Sequence, residues 1–353
     1  MVRWLLVRLG RAAVAAWLIA SLVFISSRLM GGGPEQLALS DASDLSRPVD
    51  GALTAARQQA AKQAVRHRLG LDLPLFYFSR VVGPPVQWQW HGPANQYHRW
   101  VVALLHGDLG YSYRDGQAVS TLLGQAVAYS LPLTGSAAVL AVGLALSLGL
   151  YLARAPGGWL RRLLAGLLAG WQVTPLFLLA LGLLLLVANP DFINILPGSG
   201  QAPEEASGAQ LASYWLARSI LPLLSLVLAV LPELTLPLVA LLRYELGAGY
   251  ATTARAKGLT ANQVLRRHAL PNALLPLLTT LTDLLPTLVA GTVVVEVLFG
   301  LPGGGRLLAE AAAAHDYPVV VAAVLLSAAV RLLGLVLADV LYFLADPRLR
   351  PTA

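Results

Sequence analysis

Ionisable side chains interrupt two long apolar runs: Asp283 and Glu296 lie in or at the edge of one, Arg331 and Asp339 in another. A charge at the centre of a bilayer costs at least about 2.5 kcal/mol on insertion scales, so such groups face protein, water or a partner. Two chemistries fit them. One is a polar pathway or gate; the other is an interhelical ion pair that fixes packing, with Arg331 and Asp339 two helical turns apart and roughly on one face. Elsewhere, His91, His98 and His106 share a segment, but their spacing matches no metal-ligand signature and the chain has no cysteine to support one. Trp88 and Trp90 suit either a grip on a partner or a small hydrophobic core. The patterns G-x-x-x-x-G-K-[ST], G-x-S-x-G and HExxH do not occur, so the expectation is a chain with no catalytic residues, no metal site and no ATP cradle of its own.

The medium that must position these groups is a membrane. Of 353 residues, 57% are hydrophobic and 12% charged, with a mean hydropathy of +0.66. That is more apolar surface than a soluble domain of this length buries. A spanning helix needs roughly 20 mostly apolar residues. About six runs qualify: Ala12 to Phe24 with its flanks, Ala126 to Ala153, Leu163 to Val187, Ile220 to Leu242, Leu274 to Leu298 and Val319 to Leu344. The fold class expected is therefore all-α and transmembrane. Arg3, Arg8 and Arg11 precede the first run, and no convincing small-residue cleavage site precedes Arg28, which favours an uncleaved helix over a signal peptide.

The net charge of +7 and pI near 9.9 come from scattered residues without an aromatic-rich basic groove, which argues against nucleic acid as a partner. They follow the orientation rule instead. Arg154, Arg161 and Arg162 join the second and third runs, Arg243, Arg255, Lys257, Arg266 and Arg267 the fourth and fifth, and Arg348 and Arg350 follow the sixth. These segments and both termini are expected in the cytoplasm. Residues 30–125 are expected outside as a small ordered cap, with a helical piece at Ala52 to Leu69 and a Pro/Trp-rich stretch at Val81 to Pro93. Pro132, Pro175, Pro222, Pro232, Pro237, Pro276 and Pro286 are expected to bend the spans. Gly166 and Gly170, spaced as GxxxG, are expected to pack closely on another helix.

Between the fourth and fifth runs, Tyr250-Ala-Thr-Thr-Ala-Arg-Ala-Lys-Gly258 reads as a short helix surfaced with methyls and hydroxyls. Gly258 suits the left-handed conformation that ends a helix, Leu259 to His268 suits a second short helix, and Leu270-Pro271 suits the turn back to the bilayer. This loop resembles the EAA loop of ATP-binding-cassette importer permeases, with Gly258 and Leu270-Pro271 at the family's separation and Thr252-Thr-Ala254 in place of its Glu-Ala-Ala triplet. The family's glutamate is thus missing. The wording around it looks like the B-type subunits of the dipeptide, oligopeptide and nickel branch, the binding-protein-dependent transport inner membrane components. Arg28-Leu-Met-Gly-Gly-Gly-Pro34, Arg68-Leu-Gly-Leu-Asp-Leu-Pro74, Gly107-Asp-Leu-Gly110, Val293-Val-Val-Glu296, Pro302-Gly-Gly-Gly-Arg306, Asp316-Tyr-Pro318 and Asp346-Pro-Arg348 follow the same template in order.

The resemblance implies a type I importer permease that forms a translocation pathway and binds no cofactor itself. ATP and magnesium would be held by two separate cytoplasmic ATPase subunits. A second homologous permease, an extracytoplasmic solute-binding protein and membrane lipid complete the implied partners. Ala251, Thr252, Ala254, Arg255, Lys257 and Gly258 are the expected contacts or shape determinants for the ATPase, with Leu270 and Pro271 holding the loop's exit. The implied organisation is a first helix over 1–29, the external cap over 30–125, a core over 126–345 containing the coupling loop 244–271, and a cytoplasmic tail over 346–353 in the inner membrane. Peptides, peptide antibiotics and nickel all remain as solutes. The rival readings are an ion-gradient-driven secondary transporter, favoured by the intramembrane charges, and a non-transporting scaffold.

Overall fold

A computed structural model describes residues 2–29, 60, 63–64, 72–81, 87–154, 158–189, 196 and 208–345. The expected motifs Arg28 to Pro34 and Arg68 to Pro74 fall largely, and Asp346 to Arg348 wholly, outside them. Of the expected helix Ala52 to Leu69, residues 60, 63 and 64 are described and are helical, and the rest lies outside.

The chain opens with helix α1 (Val2–Leu29). A two-stranded antiparallel hairpin follows, β1 (Phe78–Val81) against β2 (Gln87–Trp90), a small sheet that an all-helical reading did not include. Then come α2 (Gln96–Leu105), α3 (Val119–Ala153), α4 (Trp159–Gln172), α5 (Leu176–Val187) and α6 (Gly208–Gly247). The short α7 (Gly249–Ala256) and α8 (Ala261–Val264) lead through a π-helical turn (Leu265–Ala269) into α9 (Leu270–Phe299). Two further helices, α10 (Gly304–Ala313) and α11 (Tyr317–Ala345), close the described chain. Among the described residues, five helices are long and apolar enough to cross a membrane, six if one bent pair counts as a span.

That bent pair is the run Leu163 to Val187, bent at Pro175 as expected but far more sharply than a kinked span. It is not one straight helix but α4 and α5, which meet at 114°. The cause is local: Pro175 has no N–H to continue the ladder and disfavours helical backbone at Thr174. The Thr174 hydroxyl turns back to the Gly170 carbonyl at 3.1 Å, and the Pro175 carbonyl accepts the Leu178 amide at 3.0 Å to start α5. By contrast, Pro132, Pro222, Pro232, Pro237, Pro276 and Pro286 all lie inside continuous helices.

The chain forms two compact units, one of Met1–Ala13, Ala126–Arg306 and Leu326–Ala353, the other of Val14–Gln125 and Leu307–Leu325. In the first, α3, α6 and α9 enclose a core that includes Ala141, Leu226, Leu231, Leu288 and Phe299. Helices approach closely at Gly149, where an added Cβ would sit 2.5 Å from Leu238, and at Gly291, wedged between Leu226 and Leu176. Gly166 and Gly170 instead have nothing within 4 Å of such an atom. The close packing expected of them is absent among the described residues, because α4 turns those glycines to its exposed side.

In the second unit, Tyr97 and Trp100 of α2 pack on Phe24 of α1, with ring centroids 5.7 and 4.9 Å apart, and the Tyr97 hydroxyl pairs with Ser21 at 2.8 Å. The Asp316 carboxylate, buried ahead of α11, accepts the Ser112 hydroxyl and, at 3.0 Å, the Tyr113 amide. This gives the Asp316-Tyr-Pro318 motif a structural task.

Candidate functional site

The loop between α6 and α9 is built from two short helices packed through small side chains. Ala251 and Ala254 lie three residues apart on one face of α7, and both are buried against Val264 of α8, with Leu246, Tyr250 and Leu259 around them. These two alanines therefore shape the loop and leave no surface for a partner. Outward lie Thr252, Arg255, Lys257 and Gly258, all exposed.

Gly258 ends the helix in the left-handed region, at φ +88°. Its amide donates to the Arg255 carbonyl at 2.9 Å, and the Leu259 amide reaches back to Ala254 at 3.2 Å, so the last carbonyls of α7 are satisfied. Thr260 then starts α8 with a capping box: its hydroxyl accepts from the Gln263 amide while the Gln263 side chain accepts the Thr260 amide at 2.9 Å.

Leu270-Pro271 does not make the turn expected of it. Both residues lie in the first turn of α9, which continues from α8 through the π-helical turn. A proline ring displaces the carbonyl four residues back and supplies no N–H. The widened turn absorbs this, with the Leu270 amide bonded to the Leu265 carbonyl five residues earlier. Pro271 is exposed, whereas Leu270 packs beside Leu238, Leu242, Leu265 and Ala273.

The loop is tied to three helix ends. The Glu245 carboxylate at the end of α6 accepts the Tyr250 hydroxyl and, at 3.5 Å, the Asn272 amide of α9. Burial and the nearby Glu245 charge hold the Tyr250 phenol above its usual pKa, so it remains a donor at neutral pH. Arg255 donates to the Leu246 carbonyl. Just past the end of α3, Arg154 reaches Asn262 at 3.1 Å, and Arg243 of α6 caps the Leu152 carbonyl at 3.1 Å.

At the other end of α9, Glu296 is fully buried and has a specific task. Its carboxylate accepts the Ser130 hydroxyl at 2.6 Å and the amides of Gly305 and Arg306 at 2.7 and 3.2 Å. The same Ser130 oxygen takes the Gly304 amide at 2.8 Å. A Cβ on Gly303 would sit 2.1 Å from the carboxylate, and one on Gly305 would sit 2.4 Å from the Val293 backbone. The glycine run is therefore required by how closely its backbone wraps Glu296. Of the two roles open to this residue, the structure supports packing.

Asp283 and Arg331 are exposed on the isolated chain, and the Asp339 side chain, with any Arg331–Asp339 pair, lies outside the described residues. Arg218 is a functional-looking residue that the sequence did not single out. Buried in α6, it donates to the carbonyls of Phe299 and Gly300 at 3.2 and 3.0 Å, where Arg306 adds a bond to Gly300 at 2.9 Å. Positive charge at a helix C-terminus complements its dipole. The signal was a lone arginine at the margin of an apolar run.

The histidines are held in separate contacts: His91 with the Ser79 hydroxyl at 2.7 Å, His98 with Tyr77 at 2.9 Å and His106 with the Val102 carbonyl at 2.8 Å. Trp88 and Trp90 are not a core pair but stand exposed on the hairpin.

The long apolar helices, five or six of which can cross a membrane among the described residues, define a multi-pass α-helical membrane protein. The family model described as binding-protein-dependent transport system inner membrane component matches residues 145–351, and the chain belongs to that family. It is 31% identical to the probable D,D-dipeptide transport system permease protein DdpB of Escherichia coli (strain K12), over 94% of this chain and 92% of that protein. Identity is 28% with the dipeptide transport system permease protein DppB of Lactococcus lactis subsp. cremoris (strain MG1363), covering 99% of this chain and all of the relative. With the oligopeptide transport system permease protein AppB of Bacillus subtilis (strain 168) it is 31%, over 72% and 79%. The protein is an inner-membrane permease component of a binding-protein-dependent transport system.

Proposed function

We propose that this chain is the permease subunit of an ATP-driven importer of peptides or peptide-like solutes, and that the α7–α8 loop is where a separate ATPase pushes on it. The observation that carries the reading is the loop's construction. Its inner face, Ala251 and Ala254, is locked to Val264, while Thr252, Arg255, Lys257 and Gly258 form an exposed strip tied through Glu245, Asn272 and Arg154 to α6, α9 and α3. A partner that moves the strip moves those helices.

The proposed assembly has this chain beside a second homologous permease, two cytoplasmic ATPases beneath, and a solute-binding protein on the opposite side. Both termini and the α7–α8 loop face the cytoplasm, in accord with the arginine and lysine distribution. ATP and magnesium belong to the ATPases, and the solute passes unaltered. The peptide class rests on the names of the relatives.

Co-purification with transport assays tests this. The expected result is a stoichiometric ATPase whose turnover rises with solute-loaded binding protein. Proton- or sodium-driven uptake by the chain alone would establish a secondary transporter instead, and partners without flux a scaffold. Lys257→Glu is expected to weaken ATPase retention in membranes washed at low salt and to have a smaller effect at high salt, since an exposed charge is screened there. Equal ATPase retention by the two proteins at low salt removes Lys257 from the contact surface.

A further inference from the structure

The hairpin β1–β2 carries an aromatic face that none of the described residues of its own unit covers. Directly opposed residues of an antiparallel pair share a face, so Phe78 lies with Trp90, its backbone partner, and Trp88 lies on the same side two residues along. Phe78 is 58% exposed, Trp88 70% and Trp90 60%. Tryptophans this open on a short hairpin need an environment that takes an apolar ring and a polar N–H together.

The unit itself indicates which environment that is. Trp90 stacks on Tyr77 at 5.6 Å, Tyr77 meets Tyr97 at 6.5 Å, and Tyr97 meets Phe24 of α1 at 5.7 Å. Phe24 belongs to the last turns of the apolar span Leu9–Ser26. The hairpin is thus joined, ring by ring, to the level at which α1 leaves the hydrocarbon. The other side of α1 at that level is exposed too, at Leu18, Ile19 and Leu22, as a surface against lipid must be. Tryptophan and tyrosine concentrate at this depth because their amphipathic rings suit the headgroup boundary.

We propose that the Phe78–Trp88–Trp90 face lies in the lipid headgroup boundary at the C-terminal end of α1, as an interfacial anchor continuous with the lipid-facing side of that helix. The occupant is the bilayer itself and no protein partner is required. The anchor fixes the hairpin, and with it α2, at one depth.

Since the chain has no cysteine, a single introduced one carries a unique dye. Trp88→Cys places a nitrobenzoxadiazole dye on the aromatic face, and Gln89→Cys places it on the opposite face of the same strand. Phe78→Cys repeats the first reading from the other strand, so that a hairpin disturbed by loss of Trp88 does not decide the outcome. The full chain is reconstituted in vesicles of phosphatidylethanolamine and phosphatidylglycerol containing a phospholipid spin-labelled near the headgroup. Dyes at 78 and 88 are expected to be quenched by the spin label at least about threefold more than at 89, with iodide quenching in the reverse order. Equal lipid and iodide quenching on the two faces overturns the proposal. So does a dye at 88 that iodide reaches freely until a soluble solute-binding protein is added, which would make the face a protein-docking surface.

Discussion

Replacing Glu296 with Ala is expected to lower the stability of the permease more than the same change at the exposed Asp283 or Arg331. The substitution strands the buried Gly305 amide and takes the acceptor from the half-buried Ser130 hydroxyl and Arg306 amide. A buried donor left unmade costs about 1–3 kcal/mol, so the loss should be several kcal/mol by order of magnitude. Glu296→Gln keeps an acceptor oxygen and most of the volume, and should fall well short of that. Thermal unfolding of the purified chain in detergent, read for both variants, checks the order. An Ala variant as stable as the parent would mean that the carboxylate does not hold the 302–306 turn. If Glu296 served a solute pathway instead, Gln would abolish uptake while leaving stability untouched.

Gly258→Val is expected to uncouple ATP turnover from uptake. Nothing lies within 4 Å of where the new side chain would begin, so steric collision is not the cause. The cost is in the backbone: at φ +88° a β-branched residue is strained by about 1–3 kcal/mol. The strain is relieved by rotating α7 away from α8, which separates Ala254 from Val264 and tilts the exposed strip. ATPase activity of the assembled transporter should persist while solute transported per ATP falls. Gly258→Asn should be milder, since asparagine tolerates the left-handed region. Transport efficiency unchanged in the Val variant would show that the turn at 258 is not part of the coupling path.

The loop was legible because local rules govern it. A glycine behind a run of small residues reads as a left-handed helix end, and Gly258 has that conformation. The inward role of Ala251 and Ala254 was less visible, since methyl groups suit either a partner's surface or a helix–helix seam. Their burial against Val264 is decided by how α8 folds back. Leu270-Pro271 was misread because proline is a turn signal only where the ladder has no means of absorbing it, and a π-helical turn leaves no compositional trace. Pro175 shows the reverse. Hydropathy averaged over a window runs across it, yet it produces a 114° break. Glu296 needed the third dimension, as its hydroxyl partner Ser130 is 166 residues away in the chain. The glycine pairs teach the same lesson: spacing pointed to 166 and 170, whereas the close approaches fall at 149 and 291.

The helical path from Ala261 to Phe299 has no break in it, only the widened turn at Leu265–Ala269. At 1.5 Å per residue, α9 alone is about 45 Å long, more than the roughly 30 Å of a bilayer's hydrocarbon. In the proposed importer it acts as a connecting rod. One end carries the seat formed by Thr260 and Val264, and the other is pinned by the carboxylate of Glu296. A stroke delivered to the seat therefore arrives at the pinned turn without passing through a hinge.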